Sequence, residues 1–282
     1  MTTSIRYDRF GTISLEHLVA EAALQTRVDR KYVVSRDAAA QVIDALGTDV
    51  RILDTDGTRD FPYETVYFDT PDLLSFRLAA QPRRRRFKIR SRTYVESGAT
   101  FLELKTRGAR SATVKDRIGY RVSDRRILTD EARGYAADSL DAIGIDGSRA
   151  DELRMRLTTR YRRATFVSAD RSARSTVDTE LEWRDVTGRS LIIPDLTIIE
   201  TKSGSAASEF DRALWLAGHR PVSISKYATG LAALHPGLPR NRWSRLLRGP
   251  LAGGMLRTPD ADTGDPTSKT TPTEETPCIY AA

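Results

Sequence analysis

Cysteine is almost missing from this sequence: among 282 residues there is one, Cys278, near the C-terminal end. A single thiol excludes an internal disulfide and a thiolate metal cluster. Histidine is nearly as scarce, and His17, His219 and His235 are too scattered in sequence for a zinc site. No apolar run approaches the roughly 18 residues a bilayer-spanning helix needs, since the best stretch, 191–199, is interrupted by Pro194 and Asp195. The opening MTTSIRYDRFG has no basic region leading into an apolar one, so no secretory signal is read and a cytoplasmic location is expected. Aromatics are sparse at 7%, yet 39% hydrophobic and 29% charged residues fit a folded globular chain and not a disordered one. The length allows one large or two modest domains.

Positive charge is what the sequence has in excess. Forty-five Lys and Arg against 38 Asp and Glu leave a net +7, which attracts polyanions. Its distribution is uneven: Arg83 to Arg92 reads RRRRFKIRSR, seven cations in ten residues, whereas the chain from Arg240 onward holds six cations against five acids.

The pattern changes character at Pro236-Gly237-Leu238-Pro239. Residues 1–236 are expected to form the folded domain. Residues 237–282, rich in Thr, Pro, Asp and Gly, are expected to form a disordered or weakly ordered C-terminal tail. Within it, 243–251 can be a helix, a docking peptide, or an arm lying on its own domain. In the first part strand signals dominate: 27–34, 63–69, 86–94, 100–106, 113–122, 160–169, 174–182 and 196–202 are short, β-branched or aromatic, and separated by turn residues. Fewer helices are expected, at 36–46 capped by Ser35, at 72–80 behind Thr70-Pro71, and from Ser205 or Ser208 to about 216. The fold class is therefore α+β, framed by a large antiparallel sheet or barrel.

Parity then sorts the strand residues, because alternate side chains share a face. Arg86, Lys88, Arg90 and Arg92 fall on one side and Phe87 and Ile89 on the other. Leu102 and Leu104 oppose Glu103 and Lys105; Arg27, Asp29 and Lys31 align, as do Glu200 and Lys202, and Arg174, Thr176, Asp178 and Glu180. An ordinary sheet with one face in water gives such a pattern. So does a barrel with the charged faces inside, and four cations at two-residue spacing repel one another unless something anionic neutralises them. The carboxylates Asp29, Glu103 and Glu200 either pair with Lys31, Lys105 and Lys202 two residues away, or one or two of them hold a divalent cation together with phosphate oxygens.

The strings Arg27-Val-Asp-Arg-Lys-Tyr32, Tyr67-Phe-Asp-Thr70, Lys88-Ile-Arg-Ser-Arg-Thr-Tyr94, Phe101-Leu-Glu-Leu-Lys105, Val177-Asp-Thr-Glu-Leu181, Ile199-Glu-Thr-Lys202 and Ser225-Lys-Tyr227 occur in this order. Over about residues 5 to 236 they resemble the vacuolar transporter chaperone (VTC) domain, the polyphosphate polymerase branch of the triphosphate tunnel metalloenzymes related to CYTH proteins. The resemblance implies an antiparallel β-barrel tunnel, the triphosphate tunnel fold, with flanking helices. It also implies a phosphotransferase that moves the terminal phosphoryl group of ATP to polyphosphate with Mn2+ or Mg2+. On that resemblance Lys31, Lys88, Arg90, Arg92, Lys105, Arg163, Arg174 and Lys226 are expected to bind phosphate. Among these, Lys226, Arg90 and Arg92 are expected to be catalytic, and Glu200 the metal ligand. Parity placed most of these on charged faces; it did not point to Arg163.

Two departures from the wider group matter. The CYTH branch begins with two glutamates and a lysine at alternate positions, where this sequence has Arg27, Asp29 and Lys31; this favours the VTC branch over hydrolysis or cyclase chemistry. Fungal VTC domains carry a second lysine where Ser223 stands. Without the SPX domain or membrane segments of the eukaryotic proteins, any export of product is expected to need a separate membrane protein, placing the chain at the inner membrane face through that partner. The rival readings are a triphosphate or nucleoside-triphosphate hydrolase and a non-catalytic polyphosphate or nucleotide binder. Nucleic acid is not an expected partner, because Phe87 and Tyr94 are read as lying opposite the cation face, leaving only Phe101 beside it.

Overall fold

A computed structural model describes residues 5–20, 28–108 and 113–258. Arg27, Cys278 and the expected tail beyond 258 lie outside the described residues. From the N-terminal side the elements are β1 (Gly11–Ile13), α1 (Leu15–Ala20), β2 (Val28–Ser35), α2 (Arg36–Asp44), β3 (Arg51–Leu53), β4 (Asp60–Asp69) and α3 (Leu74–Ala80). A meander of β5 (Arg86–Tyr94), β6 (Thr100–Arg107) and β7 (Thr113–Tyr120) follows, then α4 (Asp130–Asp141). The long strands β8 (Arg154–Val167) and β9 (Ala173–Asp185) precede β10 (Ser190–Ile193), β11 (Leu196–Ser203), α5 (Glu209–Leu216), α6 (Lys226–Leu234), α7 (Ser244–Arg248) and β12 (Met255–Arg257).

The sequence sets the helix starts through side-chain caps. Ser35 accepts the Ala38 N–H at 3.1 Å to open α2, and Ser208 forms a reciprocal capping box with Asp211 to open α5. The helix expected at 72–80 begins later, at Leu74, because Asp69 accepts the N–H groups of Thr70, Ser75 and Phe76 and holds the chain in a loop first.

Every strand pairing is antiparallel except β1 with β3. Eight strands run side by side as β2-β11-β9-β8-β4-β5-β6-β7. The antiparallel α+β frame is as expected, with one correction to the barrel. Among the described residues β2 and β7 share no ladder, so the sheet curls without closing by hydrogen bonds. The free edge of β2 is taken instead by the segment ahead of α6, whose Val222 N–H donates to the Lys31 carbonyl at 2.7 Å.

The outer, apolar face of the curl is covered by helices. Phe87, Ile89, Leu102 and Leu104 are buried with Ala132, Ala136 and Leu140 of α4, and Tyr32, Val177 and Ile199 with Val42 and Ile43 of α2 and Phe210 and Leu214 of α5. This leaves the opposite face, where parity put the charges, turned inward. A bulge alters the parity of β9: its register with β8 shifts around Tyr161, and Glu180 adopts a positive φ of 54°. Glu180, expected to align with Asp178, is consequently half-exposed and outside the lumen, beside Arg36.

The third core cluster joins α3, α6 and the C-terminal segment, with Trp243, Leu246 and Leu251 buried in it. Met255–Arg257 pairs with β10. Packed structure thus continues past the boundary expected at 236, because a buried tryptophan and two leucines fasten 241–257 to the domain. In this cluster Gly230 of α6 lies flat against Trp183, whose Nε1–H donates to the Lys226 carbonyl at 2.8 Å. A Cβ at position 230 would overlap the indole ring. Gly230→Ala is expected to destabilise the fold by about 1–3 kcal/mol through overpacking, read as a lower midpoint in chemical denaturation; an unchanged midpoint would contradict this packing.

Candidate functional site

The inward face forms a charged lumen of about 140 Å³. Lys31 from β2, Lys88, Arg90 and Arg92 from β5, Lys105 from β6, Arg163 from β8 and Lys226 from the first turn of α6 all reach it, together with Glu200 from β11. Six structural elements thus bring together the expected site residues except Arg174. That residue sits on β9 opposite Lys202, and its guanidinium donates to the Leu18 carbonyl at 3.0 Å, outside the lumen lining.

The carboxylates are shared out among these cations. Glu103 does not pair with Lys105, its neighbour two residues on, but takes Arg90 at 2.6 Å and both Arg92 and Lys115 at 3.5 Å. Asp178, with no solvent exposure, accepts a fork from Arg163 at 2.6 and 2.8 Å and the ammonium of Lys226. Burial opposes ionisation of Asp178, yet Arg163 and Lys226 hold its carboxyl down at about 2. Glu103 and Glu200 show the same contest. Burial alone would raise each; Arg90, Arg92 and Lys115 keep Glu103, and Lys31 and Lys202 keep Glu200, well below the usual carboxylate range.

Cations remain in surplus. Among the described residues Arg92 Nε is buried with no hydrogen-bond partner, and Lys88 reaches only the Ser225 hydroxyl, at 3.1 Å. Burial, then the like charges of Lys31, Arg90 and Lys105, pushes the Lys88 ammonium well below its ordinary value, with Glu200 opposing. A polyanion beside Lys88 would restore the charged form, so binding would take up protons. Affinity for tripolyphosphate is therefore expected to fall as pH rises through the depressed value of Lys88. Calorimetric titration across pH checks this. Lys88→Arg should flatten the slope, leaving the contributions of Lys105 and Lys115, which burial also pushes down; an identical slope in both proteins would contradict it.

Toward one end the same parity carries aromatic rings. Tyr63, Tyr94 and Phe101, with Phe61, Leu15 and Leu53, line an apolar recess of about 370 Å³. Tyr63 joins it to the lumen, with the guanidinium of Arg163 5.3 Å and that of Arg92 6.0 Å from its ring centre. Tyr94 thus corrects the expectation that it lies opposite the cations: it is two residues beyond Arg92 on an uninterrupted strand and shares its face. Only Phe87 points outward into the core.

Sequence reasoning missed Lys115, Tyr67 and Tyr161, all of which line the lumen. Parity along β7, paired to β6 as Lys105 with Lys115, would have found the first. Tyr161 stacks on Tyr63 at 5.4 Å and lies under Lys226 at 4.7 Å; it is two residues before Arg163 on a stretch of β8 that pairs regularly with β4, so alternation counted back from Arg163 would have found it.

For a divalent cation the donor set is thin. Among the described residues no group of three or more His, Cys, Asp or Glu can hold a metal, and Glu103 and Asp178 are already engaged by close cations. Glu200 differs: its oxygens stand 3.9 Å from Lys31 and 3.8 Å from Lys202, beyond hydrogen-bond range. One carboxylate completed by phosphate oxygens and water suits a hard cation, so Glu200 fits the role.

Against known proteins, the profile of the VTC domain family matches residues 26–235. No curated protein matches the chain significantly. Among solved structures, the chain is similar to the Hippeastrum protein HpAC1, described as an adenylyl cyclase candidate with a dominant triphosphatase activity, at 15% identity and a TM-score of 0.47, covering 77% of this chain and 100% of that one. It is also similar to the PH1819 protein of Pyrococcus horikoshii, at 14% identity and a TM-score of 0.34, covering 68% and 86%. No helix among the described residues is long and apolar enough to cross a membrane.

Proposed function

Because this chain belongs to the VTC domain family, we propose that it is a polyphosphate polymerase, moving the terminal phosphoryl group of ATP onto a phosphate chain inside the lumen. The observation that carries the reading is the convergence of seven expected phosphate ligands, Lys31, Lys88, Arg90, Arg92, Lys105, Arg163 and Lys226, on one enclosed volume with fewer carboxylates than cations. Phosphoryl transfer asks mainly for positioning and charge stabilisation, and these side chains supply both. Arg90 and Arg92 would grip the triphosphate. Lys226 would leave Asp178 to meet the phosphoryl group in transit, while Arg163 keeps Asp178 paired. An acceptor phosphate is already ionised, so no general base is needed. Glu200 would hold Mn2+ or Mg2+, which when bound would neutralise charge across the outer phosphates. The recess around Tyr63, Tyr94 and Phe101 would take the nucleoside, since rings stack on bases and the recess opens onto Arg92 and Arg163.

Purified protein incubated with ATP and Mn2+ or Mg2+ is expected to lengthen a polyphosphate primer on a gel. Orthophosphate release without lengthening would identify a hydrolase, and metal-independent binding without turnover a sensor; either would overturn the polymerase reading.

A further inference from the structure

At the end of the lumen away from the aromatic recess, the cation ladder does not stop. Lys88 and Lys105 are cross-strand partners, and one strand repeat further out so are Arg86 and Arg107. Like charges directly opposite destabilise a sheet, and this rung has no relief from a counter-ion: among the described residues no carboxylate lies in ion-pair range of Arg86, Arg107 or Arg242. A third arginine converges on it. Burial, then the fields of Arg107 and Arg242, lowers the pKa of Arg86, and Arg107 Nε is buried without a hydrogen-bond partner among the described residues. Arg242 is set in place by its neighbour Trp243, buried against Phe76, and by bonds from its guanidinium to the Ala79 carbonyl at 2.7 Å and the Ser223 hydroxyl at 3.2 Å. The three arginines line a cavity of about 230 Å³ whose inner wall is Lys88, Lys105 and Ser225. Lys88 and Lys105 line the lumen as well, so the two spaces adjoin across these two side chains. Arg242 lies beyond residues 26–235, the part that matches the family.

We propose that this mouth is a second anion subsite, which grips a phosphate chain beyond the units seated in the lumen and so makes the protein prefer long polyphosphate to tripolyphosphate. The proposal rests on the reading that the lumen takes a phosphate chain. It gives Arg86, Arg107 and Arg242 one purpose, since a chain leaving past Lys88 and Lys105 meets them next, and their unneutralised charge is what a polyanion would satisfy.

The test is calorimetric titration of the full chain with tripolyphosphate and with long-chain polyphosphate, comparing the ratio of the two affinities between proteins. This cancels the larger number of registers a long chain offers. Wild type is expected to favour the long chain, and Arg242→Gln to reduce that preference about tenfold, the loss of roughly one charge-assisted hydrogen bond. Arg107→Gln, which removes no intramolecular hydrogen bond through Nε, should act in the same direction and covers the case in which Arg242→Gln unfolds the segment at 241–243. A preference unmoved by both substitutions would overturn the subsite while leaving the lumen reading intact; failure of wild type to bind either ligand would remove both.

Discussion

Asp178→Ala is expected to cost about 3–5 kcal/mol of stability, the largest effect of any single lumen substitution. Removing one member of a buried ionic cluster leaves the others charged, desolvated and unpaired. Among the described residues Asp178 is the sole carboxylate bonded to Arg163 and Lys226, and it has no solvent exposure. Chemical denaturation measures the loss. Because a phosphate chain can replace the missing charge, tripolyphosphate should return a substantial part of the stability, rising with its concentration as mass action requires. The pH dependence has a definite sign. The carboxyl is held at about 2 in the fold, against about 3.9 when unfolded, so the unfolded state binds the extra proton. Its contribution is complete above the unfolded value and is lost as pH falls through the folded one. Wild type and variant should therefore converge in stability at strongly acidic pH. A variant as stable as wild type at neutral pH would show that Asp178 is not the counter-ion of this cluster.

Lys226→Met is expected to reduce phosphoryl transfer by about 10²–10³-fold, the usual consequence of deleting one donor aimed at developing charge. The fold should survive, since Asp178 keeps its two-bond fork from Arg163 and Met retains the apolar stem beside Tyr161. A positional role differs from a chemical one here. Trp183 bonds the Lys226 carbonyl, and Tyr227 bonds Asp69 at 2.6 Å, so the backbone of α6 is fixed whatever side chain stands at 226. Single-turnover measurement of primer extension reads the step itself. Transfer at the wild-type rate would exclude Lys226 from the reacting centre.

The charged lumen was legible in the sequence because strand parity is a local property: Arg86 to Arg92 alternate with Phe87 and Ile89, and the structure buries the apolar set under α4 while the cations face in. Where the strand is regular the reading carries; at the β9 bulge opposite Tyr161 it fails, which is why Glu180 was aligned with Asp178. The pairing of Glu103 was missed for a different reason. Residues two apart on one strand are about 6.6 Å from each other, while the neighbouring strand puts Arg90 directly opposite Glu103 at about 5 Å, and register cannot be read from one strand. Closure was over-read for a related cause, since alternation says which face is charged and nothing about who pairs with the last strand; the segment at Val222 takes that edge. The ordering of 241–257 depends on Trp243 finding Phe76, a contact across more than half the chain that composition conceals.

A crystal of the protein grown with Mn2+ and a non-hydrolysable ATP analogue tests the central claim most directly. The triphosphate should lie between Arg90, Arg92, Arg163 and Lys226, with the metal on Glu200 and the base in the recess by Tyr63. Phosphates bound on the outer surface, with the ion pairs of Glu103 and Asp178 undisturbed inside, would contradict it.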